Sequence, residues 1–257
     1  MNAEPLSGRG IVITRPREHA PALAERIRAA GGDPILFPTI EIVPPENQDS
    51  ISRIITRLEK FQLAIFVSPT AALRGQALVS ASRSWPEGLR VAAVGEGTAK
   101  ALRERGFRDV ISPEGEADSE ALAALAELQE LRGRLVVIFR GQGGREWLRH
   151  ELEARGARVE YVECYRRVRP EADARALLAR WQAGGVDAVS ITSAEGMANL
   201  FAMLGPTGGR YLRATPVFVP HPRIELAARE RDVREVIVTG RGDERTVAEM
   251  AAFFARV

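Results

Sequence analysis

The sequence has few of the residues that mark secreted, membrane-spanning or metal-binding proteins. Its one cysteine, Cys164, excludes an intramolecular disulfide framework. The histidines His19, His150 and His221 lack the spacing of a metal site, so we expect no metal and no other cofactor. No apolar run approaches the ~18 residues that a membrane helix needs. No apolar segment of the signal-peptide type precedes the first strand. We therefore expect a cytoplasmic protein without a membrane partner.

Lysine is also nearly absent. Of the 36 basic residues only Lys60 and Lys100 are lysines, and the formal net charge is +2. Arginine forms planar, bidentate pairs with carboxylates and phosphates, although a genomic preference for arginine codons explains most of such a bias. The basic residues alternate with acidic ones and form no dense run. We therefore expect no binding of nucleic acid.

What the sequence does contain is an internal repeat. In residues 10–44 and 134–170, an apolar run reaches an arginine and is followed by a helical pattern, a glycine and a second extended run. Arg15 and Arg140 lie 125 positions apart, and later strands of the two copies show a similar offset. A chain of 257 residues can form two domains with separate cores. Strands that alternate with helices predict βαβ units and a parallel sheet in each copy.

The ends of the predicted strands are the candidate ligand-binding positions. In parallel α/β sheets, ligands bind outside the carboxyl ends of the strands. Small hydroxyl residues, glycine and arginine at these ends offer free amide groups, hydroxyls and positive charge to an anion. The residues at these ends are Thr14, Arg15, Ser68, Gly95, Ser112, Arg140, Ser193, Pro220 and Thr239.

Two glycine-rich turns allow more than one interpretation. Residues 95–100, GEGTAK, stand between a strand and a helix, as in a dinucleotide fingerprint, but Lys100 replaces the third glycine. A tight turn that exposes Thr98 and backbone amides is favoured. Residues 140–145, RGQGGR, fit a carboxylate or phosphate cradle and a plain tight turn about equally well. Cys164 lies in an alternating strand and is predicted to be buried.

Several short motifs occur in the order that is found in the uroporphyrinogen-III synthase family. FRG, GGRE and the run RGARVEYVECYR lie within residues 139–166. VITRP at residues 12–16, FP followed by IE at 37–41, and AVG followed by Thr98 match earlier parts of the family pattern. The resemblance covers the whole chain, and it depends on the joint order of these motifs.

The resemblance implies an α/β fold with two similar lobes. Each lobe would be a parallel sheet flanked by helices, of the flavodoxin or Rossmann type, and a two-stranded antiparallel connector would join them. Residues 1–37 and 168–257 would form one lobe, residues 46–157 the other, and residues 38–45 and 158–167 the connector. The repeat alone would instead divide the chain near Leu131 into tandem halves.

The reaction that the resemblance implies is the cyclisation of hydroxymethylbilane to uroporphyrinogen III. Water is lost and ring D of this linear tetrapyrrole is inverted, on the route to haem. The arginines and amide-lined turns would bind the carboxylates of the substrate through charge-assisted hydrogen bonds, which contribute about 1.5–3 kcal/mol each. We expect a monomer with a small polycarboxylate substrate. The alternative is a noncatalytic two-lobed binding protein for an anionic small molecule.

The resemblance also implies site residues. Tyr165 matches the cleft tyrosine of the family, and a phenol with a pKa of ~10 can donate a proton or hydrogen bond to the departing hydroxide at neutral pH. Its alternative role is aromatic packing. At residues 219–223, VPHPR replaces a glycine-proline-threonine turn that many members have, so His221 or Arg223 would substitute for a hydroxyl contact. The expected substrate contacts are Thr14, Arg15, Ser68, Gly95, Thr98, Arg140, Gly141, Thr192, Ser193, His221 and Arg223.

Overall fold

The computed structural model describes residues 4–115 and 118–256. The chain divides into two compact units, which we call the first lobe (residues 1–41 and 168–257) and the second lobe (residues 42–167). Each lobe is a parallel sheet flanked by helices, so the predicted fold class is confirmed.

Within the described residues the strands and helices alternate along most of the chain. The strands are β1 Gly10–Ile13, β2 Asp33–Leu36, β3 Glu41–Val43, β4 Leu63–Phe66, β5 Arg90–Ala93, β6 Val110–Ile111, β7 Leu135–Gly141, β8 Arg158–Val168, β9 Ala188–Ser190, β10 Val217–Val219 and β11 Val236–Val238. The helices are α1 Pro21–Ala29, α2 Gln48–Ile55, α3 Pro69–Ser80, α4 Glu96–Arg103, α5 Ser119–Ala124, α6 Trp147–Ala154, α7 Arg175–Gln182, α8 Ala194–Ala214, α9 Pro222–Arg229 and α10 Asp243–Phe254.

The two sheets repeat one strand order. The first lobe has the order β11-β10-β9-β1-β2, and the second has β6-β5-β4-β7-β8 with β3 added beside β8. Each strand of one sheet therefore occupies the place of its counterpart about 125 residues away in the other. Each sheet combines strands from both copies of the repeat. A division near Leu131 would be wrong, because it would separate β4 from β7, which pair from Leu63 with Val136 to Phe66 with Phe139.

The strands carry apolar side chains on both faces because helices cover both faces of each sheet. In β1, Val12 faces one apolar cluster, whereas Ile11 and Ile13 face the other. The second lobe likewise has one cluster on each face of its sheet. Cys164 is 2% exposed, so its predicted burial is confirmed.

Several elements are shorter than the sequence predicts. The apolar pattern of residues 18–30 predicts one helix, but a 3-10 turn at Arg17–His19 precedes α1, which begins at Pro21. Proline has no amide hydrogen and therefore suits the first helical turn. The strand expected from Thr39 begins only at Glu41, since the Thr39 amide donates to the Thr14 carbonyl at 3.0 Å. In the described part of the chain, no helix is long and apolar enough to cross a membrane.

Candidate active site

A pocket of about 240 Å³ lies at the carboxyl ends of β4 and β7 in the second lobe. It brings together four of the predicted residues, Ser68, Arg140, Gly141 and Tyr165. Among the residues that the structure describes, its lining is Val67, Ser68, Ser119, Ile138, Arg140, Gly141, Gly143, Gly144, Arg145, Leu148, Tyr161, Tyr165 and Arg167.

The side chain of Tyr165, a residue of β8, is held beside the amino terminus of α3. Its hydroxyl lies 3.3 Å from the Ser68 Oγ, and the Ser68 Oγ caps the helix by accepting a hydrogen bond from the Ala71 amide at 3.0 Å. The ring packs against the backbone of Gly141. Tyr165 is only 7% exposed, yet it belongs to the pocket lining. The phenol is therefore positioned by its surroundings and can still be reached from the pocket.

Arg140 is a buried arginine that holds the glycine-rich turn. Its Nε donates to the Gly141 carbonyl at 3.2 Å, its Nη2 donates to the Gly143 carbonyl, and its Nη1 donates to the Glu146 Oε1 at 2.8 Å. The residue is 5% exposed. The donors of its guanidinium are thus directed at protein oxygens, and a substrate contact for Arg140 stays a prediction.

Glu146 joins Arg140 to Tyr161. The Tyr161 hydroxyl donates to the Glu146 Oε2 at 2.9 Å, and the Arg140 Cζ lies 4.4 Å from the centre of the Tyr161 ring. Burial, and then the bond to Glu146, raise the pKa of Tyr161 to about 12. The Tyr161 hydroxyl and the Arg140 guanidinium lower the pKa of Glu146. At neutral pH the phenol is therefore neutral and the carboxylate is charged.

Gly95 and Thr98 lie at the start of α4, outside the pocket lining. Gly95 precedes the helix in an extended conformation, with φ of −171°, and its carbonyl accepts from the Thr98 amide at 2.9 Å. Thr98 is buried. The strand-to-helix turn that the sequence favours for residues 95–100 is present, but the prediction that it exposes Thr98 is wrong, because the Thr98 side chain is buried. Substrate contacts by Gly95 and Thr98 stay predictions.

The first lobe has its own pocket of about 370 Å³ at the carboxyl ends of β9 and β10. Ser193 caps α8 by accepting from the Gly196 amide at 2.9 Å. The His221 Nδ1 caps α9 by accepting from the Arg223 amide at 3.1 Å. Two helix amino termini and two arginines thus form a positive surface suited to carboxylates. The lining is Thr192, Ser193, Ala194, Pro220, His221, Arg223, Ile224 and Arg241.

Thr14 and Arg15 are not part of that lining. Thr14 is 3% exposed, and its hydroxyl donates to the Ser190 carbonyl at 2.8 Å, which ties the end of β1 to β9. The Arg15 Nη1 forms an ion pair of 2.6 Å with the Asp243 Oδ1. Both residues have structural partners in the first lobe, and their contact with a substrate stays a prediction.

Sequence reasoning missed several residues of the two pockets. Arg241 lies three positions after the end of β11. Thr239 was a candidate because it directly follows that strand, and Arg241 would have been one too if three residues past each strand end had been considered. Arg145 lies within the glycine-rich turn but was not selected as a contact. Glu146 and Tyr161 carry no local signal, because they meet only through the packing of α6 against β8. Among the residues that the structure describes, no three His, Cys, Asp or Glu side chains cluster as a metal site would require.

The fold and these pockets define a class of protein. Each parallel sheet presents capped helix amino termini and arginines at the carboxyl ends of its strands, and one sheet adds a buried phenol. This arrangement is typical of an α/β protein that binds an anionic small molecule and can donate a proton to it.

Comparison with known proteins gives the family. The uroporphyrinogen-III synthase HemD family model matches residues 21–247. The uroporphyrinogen-III synthase of Salmonella typhimurium is 34% identical over 236 residues, which cover 91% of this chain and 96% of the relative. The enzyme of Escherichia coli is 32% identical with the same coverage. The chain belongs to the uroporphyrinogen-III synthase family.

Crystal structures support the fold. A mutant uroporphyrinogen III synthase from Thermus thermophilus has a TM-score of 0.65 and 17% identity, covering 97% of this chain and 100% of that one. The Helicobacter pylori uroporphyrinogen-III synthetase has a TM-score of 0.61 and 15% identity, covering 95% of this chain and 99% of that one. At these identities the likeness concerns the fold alone.

Proposed function

We propose that this chain cyclises hydroxymethylbilane to uroporphyrinogen III in tetrapyrrole biosynthesis. The observation that carries the proposal is the Tyr165 hydroxyl, which is held 3.3 Å from the Ser68 Oγ in a pocket that arginines line. Membership of the family indicates the reaction, and the Tyr165 hydroxyl is the proton donor that this reaction needs.

Tyr165 acts on the leaving group. The hydroxymethyl C–O bond breaks, the oxygen takes a proton and departs as water, and the carbon then bonds to the substituted position of ring D. The spirocyclic product fragments and recloses with ring D inverted. A phenol is a suitable donor in the first step because its O–H group can donate a hydrogen bond or a proton to the departing oxygen. The Ser68 hydroxyl, which is within hydrogen-bonding distance of the phenol, orients it.

The carboxylates of the substrate are held by amides and arginines at the strand ends. In the second lobe the amino terminus of α3 supplies backbone donors. In the first lobe the amino termini of α8 and α9 supply backbone donors, and Arg223 and Arg241 supply charge. Charge-assisted hydrogen bonds contribute about 1.5–3 kcal/mol each, so several suffice to curl a flexible chain. Because many of the donors belong to the backbone, removal of one contact side chain has a mild effect.

We also propose which residues connect the two lobes, and we propose the oligomeric state and location of the enzyme. The chain leaves one lobe for the other at Glu41–Ile42 and at Arg167–Val168. Residues 38–45 and 158–167, which contain β3 and most of β8, form the connector. The enzyme is a cytoplasmic monomer that uses no cofactor and binds no nucleic acid. Light scattering of the purified protein tests the monomer directly.

The test of the function is product analysis. Purified protein is incubated with freshly generated hydroxymethylbilane, the products are oxidised, and the uroporphyrin isomers are separated by chromatography. We expect mainly the type III isomer without added metal or nucleotide. Only the type I isomer, at the rate seen without protein, would favour a noncatalytic binding protein, which calorimetry with the same substrate would then measure.

The role of Tyr165 has its own test. Tyr165→Phe removes the hydroxyl and keeps the ring, so we expect kcat to fall by about tenfold or more, since general acids contribute roughly 10²–10⁴-fold. Tyr211→Phe is the matched control, because Tyr211 is half-buried and stacks on Trp181 against the core of the first lobe. Full activity of Tyr165→Phe would assign Tyr165 to aromatic packing.

A further inference from the structure

The turn at residues 141–144 is wound around one guanidinium group. Arg140 donates to the carbonyls of Gly141 and Gly143. A Cβ on Gly144 would lie 3.0 Å from the Arg140 Nη2, so the turn approaches the guanidinium closely on that side too. The position of the turn therefore depends on the position of the Arg140 side chain.

Two further side chains fix that guanidinium. The Glu146 carboxylate bridges the Arg140 Nη1, at 2.8 Å, and the Tyr161 hydroxyl, at 2.9 Å. The Tyr161 ring covers one face of the guanidinium, with 4.4 Å from the Arg140 Cζ to the ring centre. The Arg140 side chain is 6% exposed and the Glu146 side chain 47% exposed, so removal of Glu146 would take a charged partner from a guanidinium that is itself shielded from water. Glu146 and Tyr161 thus decide where Arg140 lies.

The turn at residues 141–144 also determines the position of Tyr165. The amide of Gln142, inside the turn, donates to the Tyr165 carbonyl at 2.8 Å. Gly141 pairs with Tyr165 after a register shift between β7 and β8, and the Tyr165 ring lies directly on its backbone. A displaced turn would therefore move both the backbone and the ring of Tyr165 away from Ser68.

We infer that Glu146 and Tyr161 are positioning residues for Tyr165, acting through Arg140 and the turn at residues 141–144. Neither has to touch the reacting atoms, because their effect is to keep the Tyr165 hydroxyl where the leaving group can reach it. Errors of about 1 Å in the placement of a catalytic group can cost about 10²-fold in rate. This inference rests on the proposed function and on the proposed role of Tyr165.

A double-mutant cycle separates positioning from general stability. Glu146→Ala and Tyr161→Phe are each made alone and together with Tyr165→Phe, and kcat and KM are measured for uroporphyrinogen III formation. We expect Glu146→Ala to lower kcat about tenfold, or about 1.4 kcal/mol, with less than a threefold change in KM. In the Tyr165→Phe background the same change should lower kcat less than twofold, since no phenol is left to misplace.

Two variants control for the loss of a carboxylate. Glu146→Gln keeps an oxygen for the Arg140 Nη1, and its amide can donate to the Tyr161 hydroxyl, so we expect it to restore most of kcat. Glu153→Ala removes an acid from α6, the partner of Arg149 at 2.8 Å, and should leave kcat within about twofold of wild type. Near-UV circular dichroism verifies the fold of each variant. If Glu146→Ala does not fold, the cycle is read from Tyr161→Phe, which should lower kcat only while the Tyr165 hydroxyl is present.

The outcomes distinguish this inference from the function itself. A wild-type protein that forms no type III isomer would overturn both. A wild-type protein that forms it, with Glu146→Ala at full kcat, would overturn only the positioning role. An equal fall of kcat with and without the Tyr165 hydroxyl would also overturn it, because the residue would then support the lobe rather than the phenol.

Discussion

A Cβ atom on Gly141 would lie 2.7 Å from both Cε2 and Cζ of Tyr165 and 3.0 Å from its hydroxyl oxygen. Gly141 is not among the glycines with positive φ, so its backbone conformation is open to other residues. The glycine is required by the space that the ring fills. Gly141, the last residue of the FRG motif, therefore defines the position of the Tyr165 hydroxyl, the proposed proton donor.

Gly141→Ala should consequently displace Tyr165. The methyl group has no room between the backbone and the ring, and overpacking of this kind costs about 1–3 kcal/mol of unfolding free energy. We expect kcat to fall by about tenfold or more because the hydroxyl moves from Ser68. Denaturant unfolding and product analysis measure the two effects.

Gly97→Ala is the matched control for this substitution. Its Cβ would meet only the Pro69 Cγ, at 3.9 Å, and the position is helical. We expect the free energy of unfolding to stay constant or to rise by up to about 1 kcal/mol. A Gly141→Ala protein as stable and as active as wild type would contradict the close contact.

Ser68→Ala should affect stability and activity by separate routes. Loss of the cap on α3 costs about 1 kcal/mol of unfolding free energy, because the Ala71 amide loses its acceptor. Loss of the 3.3 Å contact also frees the Tyr165 hydroxyl, so we expect kcat to fall about threefold to tenfold.

Asn47→Ala controls for the loss of a helix cap. The Asn47 Oδ1 accepts from the Ser50 amide at 3.0 Å and caps α2, where no predicted site residue lies. Its unfolding free energy should fall by about the same 1 kcal/mol, while kcat stays at the wild-type value. Equal kcat values for Ser68→Ala and Asn47→Ala would show that Ser68 serves only the helix.

The sequence predicts the fold well because the relevant signals are local. Apolar runs, glycine ends and the repeat place each described strand near its observed position, and the family resemblance predicts a division of the chain into one discontinuous and one continuous lobe. Helix ends are less predictable. The pattern of residues 50–61 predicts one continuous helix, whereas α2 stops at Ile55 and a 3-10 turn follows at Leu58–Lys60, where Leu58 is fully buried. The burial of Leu58 is a tertiary contact that no local pattern contains.

The candidate site is predictable only in part, for the same reason. Strand-end position leads to Ser68, Ser193 and Arg140 from local sequence alone. Strand-end position does not predict the direction in which a side chain points. The Thr14 hydroxyl, for example, points inward and donates to the Ser190 carbonyl. Glu146 gains its role from side chains on two other elements, so its position in the sequence carries no sign of it.

Thr215→Val should destabilise the first lobe. The Thr215 Oγ1 accepts from the Trp181 Nε1 at 3.0 Å and donates to the Tyr211 carbonyl at 2.9 Å, and all three groups are inside the lobe. Valine has the same shape but leaves the indole N–H without an acceptor, which costs about 1–3 kcal/mol. Thr215→Ser keeps the hydroxyl and should recover most of that loss. Thermal unfolding followed by tryptophan fluorescence measures both variants, and equal stability of the two would refute the role of this hydroxyl.

Tyr161 should ionise only in strongly alkaline solution, since burial and its bond to Glu146 raise its pKa from 10.0 to about 12. The folded pKa exceeds the unfolded one. The contribution of Tyr161 to the free energy of unfolding is therefore complete below pH 10 and is lost as the pH rises towards about 12. Phenolate absorbance of wild type and Tyr161→Phe, recorded while circular dichroism shows folded protein, should differ by one step near pH 12. A difference step near pH 10 instead would mean that the Tyr161 hydroxyl is solvated and does not hold Glu146.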